Sequence, residues 1–154
     1  KEELIKEVSN VALLIQSENS ISIHIRRGDY TNAAMLEYHG VQDIEYYNQA
    51  ISFIKEKIAN PKFYVFSDNI NWVQENLNLN EEAHLITVDE SPTSITDFYL
   101  MRCCKHNIIA NSTFSWWAAY LNPNPDKIII APKRWFNKAN FNTKDLIPSP
   151  WIQL

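Results

Sequence analysis

A doubly wound α/β domain with a parallel sheet is the fold this sequence predicts, and two observations predict it. Short β-rich runs alternate with single helical patterns along the whole length, and most of those runs are continuously apolar. Alternation of strand and helix makes βα units, and a strand apolar on both faces needs helices on both sides of its sheet. The 154 residues suit one domain, since domains most often run ~100–150 residues, and residues 1–154 read as a single unit. A composition of 45% hydrophobic, 12% aromatic and 21% charged residues excludes a disordered chain. A domain of this size buries roughly 68–70% of its unfolded surface, enough for a core without disulfides.

The elements follow in order. The first twenty residues, KEELIKEVSNVALLIQSENS, mix Glu2, Glu3, Lys6 and Glu7 with a short apolar stretch, which predicts an amphipathic helix and not a signal peptide. In the strand Ile21–Ile25, period-2 alternation puts Ile21, Ile23 and Ile25 on one face and Ser22 and His24 on the other. Ile44, Tyr47, Ile51, Ile54 and Ile58 recur at helical steps through Ile44–Ala59, and Asn60-Pro61 stops that helix before the next strand. Strands at Phe63–Phe66, Leu85–Val88, Asn107–Ala110 and Ile128–Ala131 then alternate with helices at Asn71–Leu77, Thr96–Cys104 and Phe114–Leu121. Adjacent Trp116 and Trp117 point ~100° apart on the last helix, and core packing is the expectation for both.

No apolar run approaches the ~18 residues that span a bilayer. Cys103 and Cys104 are neighbours, so a mutual bond would be strained and two reduced thiols in or near the core are expected. These features predict a cytoplasmic protein with at most peripheral contact with the inner face of the membrane. Fourteen basic against eighteen acidic residues give a net charge of −4, which argues against nucleic acid as a partner. Any anion must be held by a local site.

In open α/β sheets such sites lie in the loops after the carboxyl ends of the strands. The first strand opens into Arg26-Arg27-Gly28-Asp29. Arginine reads phosphate through two parallel hydrogen bonds, one of only two glycines gives the backbone room to aim both side chains, and Asp29 could buttress one of them. The second strand ends at Ser67-Asp68-Asn69, residue types that either cap the next helix or meet a ribose or base. Asp97 falls in the first turn of a helix. Asn111-Ser112-Thr113 join a strand to the helix carrying Ser115, where hydroxyls and unpaired backbone N–H groups make an anion site or a simple cap. Lys133-Arg134 beyond Pro132 face either an anion or solvent. There is no GxGxxG, no P-loop lysine, no zinc spacing among His24, His39, His84 and His106, and no Asp-x-Asp pair. The residues read as a metal-free, anion-binding α/β domain.

Three segments, HIRRGDY (His24–Tyr30), FSD (Phe66–Asp68) and NSTFSWWA (Asn111–Ala118), occur in an order that resembles glycosyltransferase family 11, the α-1,2-fucosyltransferases. The likeness spans roughly Ile21 to Phe136. It implies the Rossmann-like C-terminal half of a GT-B-like enzyme that uses GDP-fucose with inversion, no metal and no other cofactor, and a galactose-containing glycan as acceptor. By position it implies that Arg26 and Arg27 hold the diphosphate, that His24 and Asp97 read guanine, and that Ser112 and Thr113 add phosphate contacts, with Ser67, Asp68, Asn111 and Ser115 completing the donor site. The general base is open among Asp29, Glu37 and His39. Asn69 stands where members often carry a second acidic residue, and nothing here matches the Gly-x-Gly-Asn-Gln-like segment of the acceptor-side half. The chain, which starts at Lys1, is therefore expected to be the donor-binding half, its N-terminal acceptor-side domain absent.

Overall fold

The computed structural model describes residues 2–28, 32–77, 83–86, 95–137 and 142–154. In chain order the elements are α1 (Glu2–Ser17), β1 (Ser20–Ile25), α2 (Ala33–Tyr38), α3 (Ile44–Lys57), β2 (Lys62–Ser67), α4 (Ile70–Asn76), β3 (Ala83–Leu85), α5 (Ile95–Cys103), β4 (His106–Ile108), α6 (Thr113–Tyr120), β5 (Ile129–Ala131) and β6 (Ile152–Gln153). The strands form one sheet in the order β3-β2-β1-β4-β5-β6, with every pairing parallel. The winding reverses between β1 and β4, the crevice where doubly wound sheets take their ligands.

Alternation along β1 sorts two cores. Ile21, Ile23 and Ile25, all fully buried, face α3, whose Tyr46, Tyr47, Ala50, Ile51 and Ile54 form one stripe against Phe63 and Val65. Each such isoleucine contributes about 1.5–3 kcal/mol of burial free energy. On the opposite side Tyr64 and Phe66 of β2 meet Ala12 and Ile15 of α1, Leu100 and Met101 of α5, and Ala118 of α6. Ser22 lies on that second side, where its hydroxyl accepts a 2.7 Å bond from Asn107 Nδ2 on β4. Asn107 Oδ1 in turn accepts from Asn122 Nδ2 at 2.7 Å, so the polar groups beneath the β1–β4 junction are paired.

Helix α3 ends where the sequence says it should. Ile58 N–H closes on Ile54 O, Asn60 turns left-handed (φ 49°), and Pro61 leads into β2. Elsewhere the structure departs from sequence expectation. Helix α2 and the two-residue β6 carry no strong pattern of their own. Strand β3 begins two residues early and stops at Leu85; Thr87 and Val88 lie outside the described residues. Trp117 is half exposed and not in the core, while Trp116 is half-buried against Trp151. Cys104 is buried and Cys103 half-buried, both as free thiols, as expected.

Candidate functional site

The register of two strands builds the centre of the site. Ile25 at the end of β1 pairs with Ser67 at the end of β2, so the residues that follow, Arg26-Arg27-Gly28 and Asp68, leave the sheet side by side. The carboxylate of Asp68 accepts the Arg27 backbone N–H through Oδ1 at 2.8 Å and meets Arg26 Nε through Oδ2 at 3.2 Å. That side chain is only 5% exposed and Arg26 17%, so the pair sits in a low-dielectric setting where charge-assisted bonds hold geometry firmly. Gly28 closes the arrangement sterically. A Cβ there would stand 2.8 Å from Asp68 Oδ2, so no larger residue fits with the carboxylate in place.

Asn69 and Ser67 serve α4. Ser67 Oγ accepts the Asn69 N–H, and Asn69 Oδ1 accepts the N–H of Trp72 as the N-cap, both at 3.0 Å. The cap presents the Trp72 ring to Arg27, whose guanidinium carbon lies 4.1 Å from the ring centroid. Sequence reasoning missed this contact and assigned the buttressing role to Asp29, which lies outside the described residues. The available signal was an aromatic one helical turn past Ser-Asp-Asn, beside a strand ending in arginines.

His24, one residue before Ile25, is buried and tilted against Phe114 at a centroid distance of 5.7 Å. Burial, helped by the Arg26 charge, pushes its imidazole down to about 3, so it is neutral at physiological pH. Its Nδ1 has no hydrogen-bond partner among the described residues. Phe114 also packs edge-on against Phe98 at 5.6 Å, and Phe98 follows the buried Asp97 in the first turn of α5. His24 thus touches an aromatic pair whose second ring, Phe98, is the chain neighbour of Asp97.

Across the switch point, β4 leads to Asn111, Ser112 and Thr113. Ser112 caps α6, its hydroxyl accepting the Phe114 N–H at 3.3 Å, and the buried Ser115 hydroxyl donates to Ser112 O at 3.4 Å. Thr113 is exposed. Asn111 is buried, and its Nδ2 donates to the carbonyls of His39 (3.0 Å), Gly40 (3.2 Å) and Trp135 (3.1 Å). It ties the segment after β1 to the segment after β5. Gln42 Nε2 adds a bond to Arg134 O at 2.9 Å, and Asn137 N–H one to Tyr38 O at 3.0 Å. Gly40 carries a left-handed φ of 68° in that knot. Glu37 on α2 is exposed, and the His39 ring packs against both Tyr38 and Phe136, which also touch each other. The Lys133 and Arg134 side chains are exposed.

The structure thus brings Arg26, Arg27, Ser67 and Asp68 together at the ends of β1 and β2, with His24 one residue earlier on β1; Asn111, Ser112, Thr113 and Ser115 follow the neighbouring strand β4, and Asp97 lies in the first turn of α5. Two adjacent guanidiniums, one fixed by a carboxylate and one laid on an aromatic ring, can bind a dianionic or diphosphate group. Among the described residues no group of three or more His, Cys, Asp or Glu side chains could hold a metal ion, and no helix is long and apolar enough to cross a membrane.

Comparison with known proteins adds to this picture. The family model described as Glycosyl transferase family 11 matches residues 2–154. The chain is similar to the O-antigen biosynthesis glycosyltransferase WbnK of Escherichia coli, at 39% identity over 92% of this chain and 47% of the relative. It is 40% identical to an alpha-1,2-colitosyltransferase of the same species, over 97% of this chain and 51% of the relative. The human galactoside alpha-(1,2)-fucosyltransferase 1 is 33% identical over 66% of this chain and 28% of the relative. The chain spans about half the length of the bacterial relatives. No solved structure matches it.

Proposed function

The chain belongs to glycosyltransferase family 11, and from that premise we propose that it is the donor-binding part of an inverting transferase. The transferase moves L-fucose from GDP-fucose to a hydroxyl of a galactose-containing glycan, in α-1,2 linkage. The observation that carries the reading is the Arg26-Arg27 turn, fixed by Asp68 at the switch point of the sheet.

In this reading the two guanidiniums take the diphosphate, Arg26 on the β-phosphate. They stabilise the charge that gathers on GDP as the bond from C1 to the β-phosphate oxygen breaks. That is the electrostatic task a divalent cation performs elsewhere, and two preorganised arginines supply it without one. Ser112 and Thr113 add donors from the start of α6. A neutral His24 exchanges hydrogen bonds with guanine without repelling Arg26, with Asp97 on the same side. Asp68, Asn111 and Ser115 act by holding these groups in place. An acceptor hydroxyl attacks C1 from the face opposite GDP, forming the new C1–O bond and passing its proton to a base, for which Asp29, Glu37 and His39 are the candidates.

Calorimetric titration with GDP-fucose, GDP and UDP tests the reading. GDP and GDP-fucose bind, UDP binds about tenfold or more weakly, and Arg26→Ala costs about tenfold in GDP affinity. Equal binding of UDP, or GDP affinity unchanged by Arg26→Ala, overturns it. The 40% identity to an alpha-1,2-colitosyltransferase makes a donor of colitose, the 3-deoxy analogue of fucose, the competing one, to be titrated alongside. A second reading is a GDP-sugar-binding module without turnover. Radiolabelled transfer to galactoside acceptors decides between them: product formation removes the second reading.

A further inference from the structure

The two arginines are held by different chemistry. Arg26 is fixed through Nε by the Asp68 carboxylate, an arrangement that places a negative charge against it. Arg27 takes only a backbone bond from that carboxylate, and its guanidinium lies with the carbon 4.1 Å from the centroid of the Trp72 ring. A ring holds a guanidinium through its face, so the N–H donors, which lie in the guanidinium plane, are not consumed and no opposing charge is introduced. The residue that carries the ring is held through its backbone and through its side chain. Its backbone N–H is bound by the Asn69 cap, whose own N–H is bound by Ser67, and the side chain packs half-buried against the core under β2.

We propose that Trp72 is a positioning residue that orients the Arg27 guanidinium toward the diphosphate and so sets the affinity for the donor. This rests on the reading of the site given above, in which Arg27 faces the diphosphate. A long arginine side chain loses rotamer freedom when it binds, and a ring that confines it beforehand removes part of that cost from the binding step.

GDP affinity measured by calorimetry on the 154-residue chain, in a double-mutant cycle, tests the assignment. Trp72→Leu keeps an apolar side chain against the core and removes the ring face. It is expected to weaken GDP binding roughly three- to thirtyfold, while Trp72→Phe, which keeps a ring face, costs less than Trp72→Leu. In an Arg27→Ala background both Trp72 variants bind GDP as that parent does, because the group they orient is gone. Should Trp72→Leu not fold, Trp72→Phe carries the cycle alone. Its smaller face costs about two- to fivefold with Arg27 in place and nothing in the Arg27→Ala background. Two results overturn the assignment. One is a change under twofold in the folded Trp72→Leu chain, or in Trp72→Phe where that is the only folded variant. The other is an equal loss with and without the Arg27 side chain. An Arg27→Ala chain that binds GDP unchanged overturns the site reading itself, whereas loss in Arg27→Ala without loss in the Trp72 variants overturns only the role given to Trp72.

Discussion

The carboxylate of Asp68 accepts the backbone N–H of Arg27 at 2.8 Å, across a separation of 41 positions in sequence. The same side chain meets Arg26 Nε at 3.2 Å, so one buried acid sets both the backbone of the turn and the direction of its first guanidinium. Asp68→Ala takes one buried acceptor from the Arg26 guanidinium and from the Arg27 backbone N–H. The expected loss is about 2–3 kcal/mol of unfolding free energy, read from urea denaturation at constant slope. A loss below about 0.5 kcal/mol would place this carboxylate among ordinary surface charges.

Gly28→Ala tests the same turn by steric means. The added Cβ would meet Asp68 Oδ2 at 2.8 Å and must push the carboxylate away from Arg26. The substitution is expected to destabilise by about 1–2 kcal/mol, and its effect should not add fully to that of Asp68→Ala, since both disrupt one contact. Full additivity in the double variant would show that Gly28 is required for another reason.

The contrast between these two residues shows what the sequence could and could not convey. That ISIHI would alternate between two buried faces was legible, because period-2 patterning and burial have the same physical origin. That Asp68 would serve the arginines was not. The contact exists only because Ile25 and Ser67 are in register, and register is a property of the paired strands. Asn69 read correctly as a possible cap because capping is local. Asn111 looked like part of an anion site, yet its amide is directed at three carbonyls from two distant segments. Strand β6 was invisible for the same reason. Its two residues are held by β5, with Leu154 N–H bound to Ala131 O and Lys133 N–H to Leu154 O, and carry no pattern of their own.

Acid should weaken the fold through His24. Its folded-state value, lowered by burial and then by Arg26 to about 3, lies below the ordinary 6.5 of an unfolded histidine. The unfolded chain therefore binds a proton that the native chain refuses, and stability present above about pH 6.5 is lost as pH falls toward 3. At pH 5 this amounts to about 2 kcal/mol. Buried His106, whose Nδ1 accepts the Ile128 N–H, is lowered in the same direction by its burial and by the Lys105 charge, and adds to the slope. His24→Gln should flatten the stability profile between pH 7 and 5 but leave the His106 contribution. An unchanged slope would mean that the imidazole is charged in the native state.

Asn111→Ala separates holding a loop from touching a ligand. Removing the amide strips a donor from the carbonyls of His39, Gly40 and Trp135, and the buried groups left behind cost about 1–3 kcal/mol. The disturbance should stay local. Amide exchange is expected to quicken around residues 39–42 and 134–137, where ties such as Gln42 to Arg134 and Asn137 to Tyr38 and Leu36 remain, while Ile23 and Val65 in the central strands stay protected. GDP affinity should fall less than in Arg26→Ala, because in this geometry the amide is directed at backbone carbonyls. Loss of GDP binding with loop exchange unchanged would instead put Asn111 in direct contact with the donor.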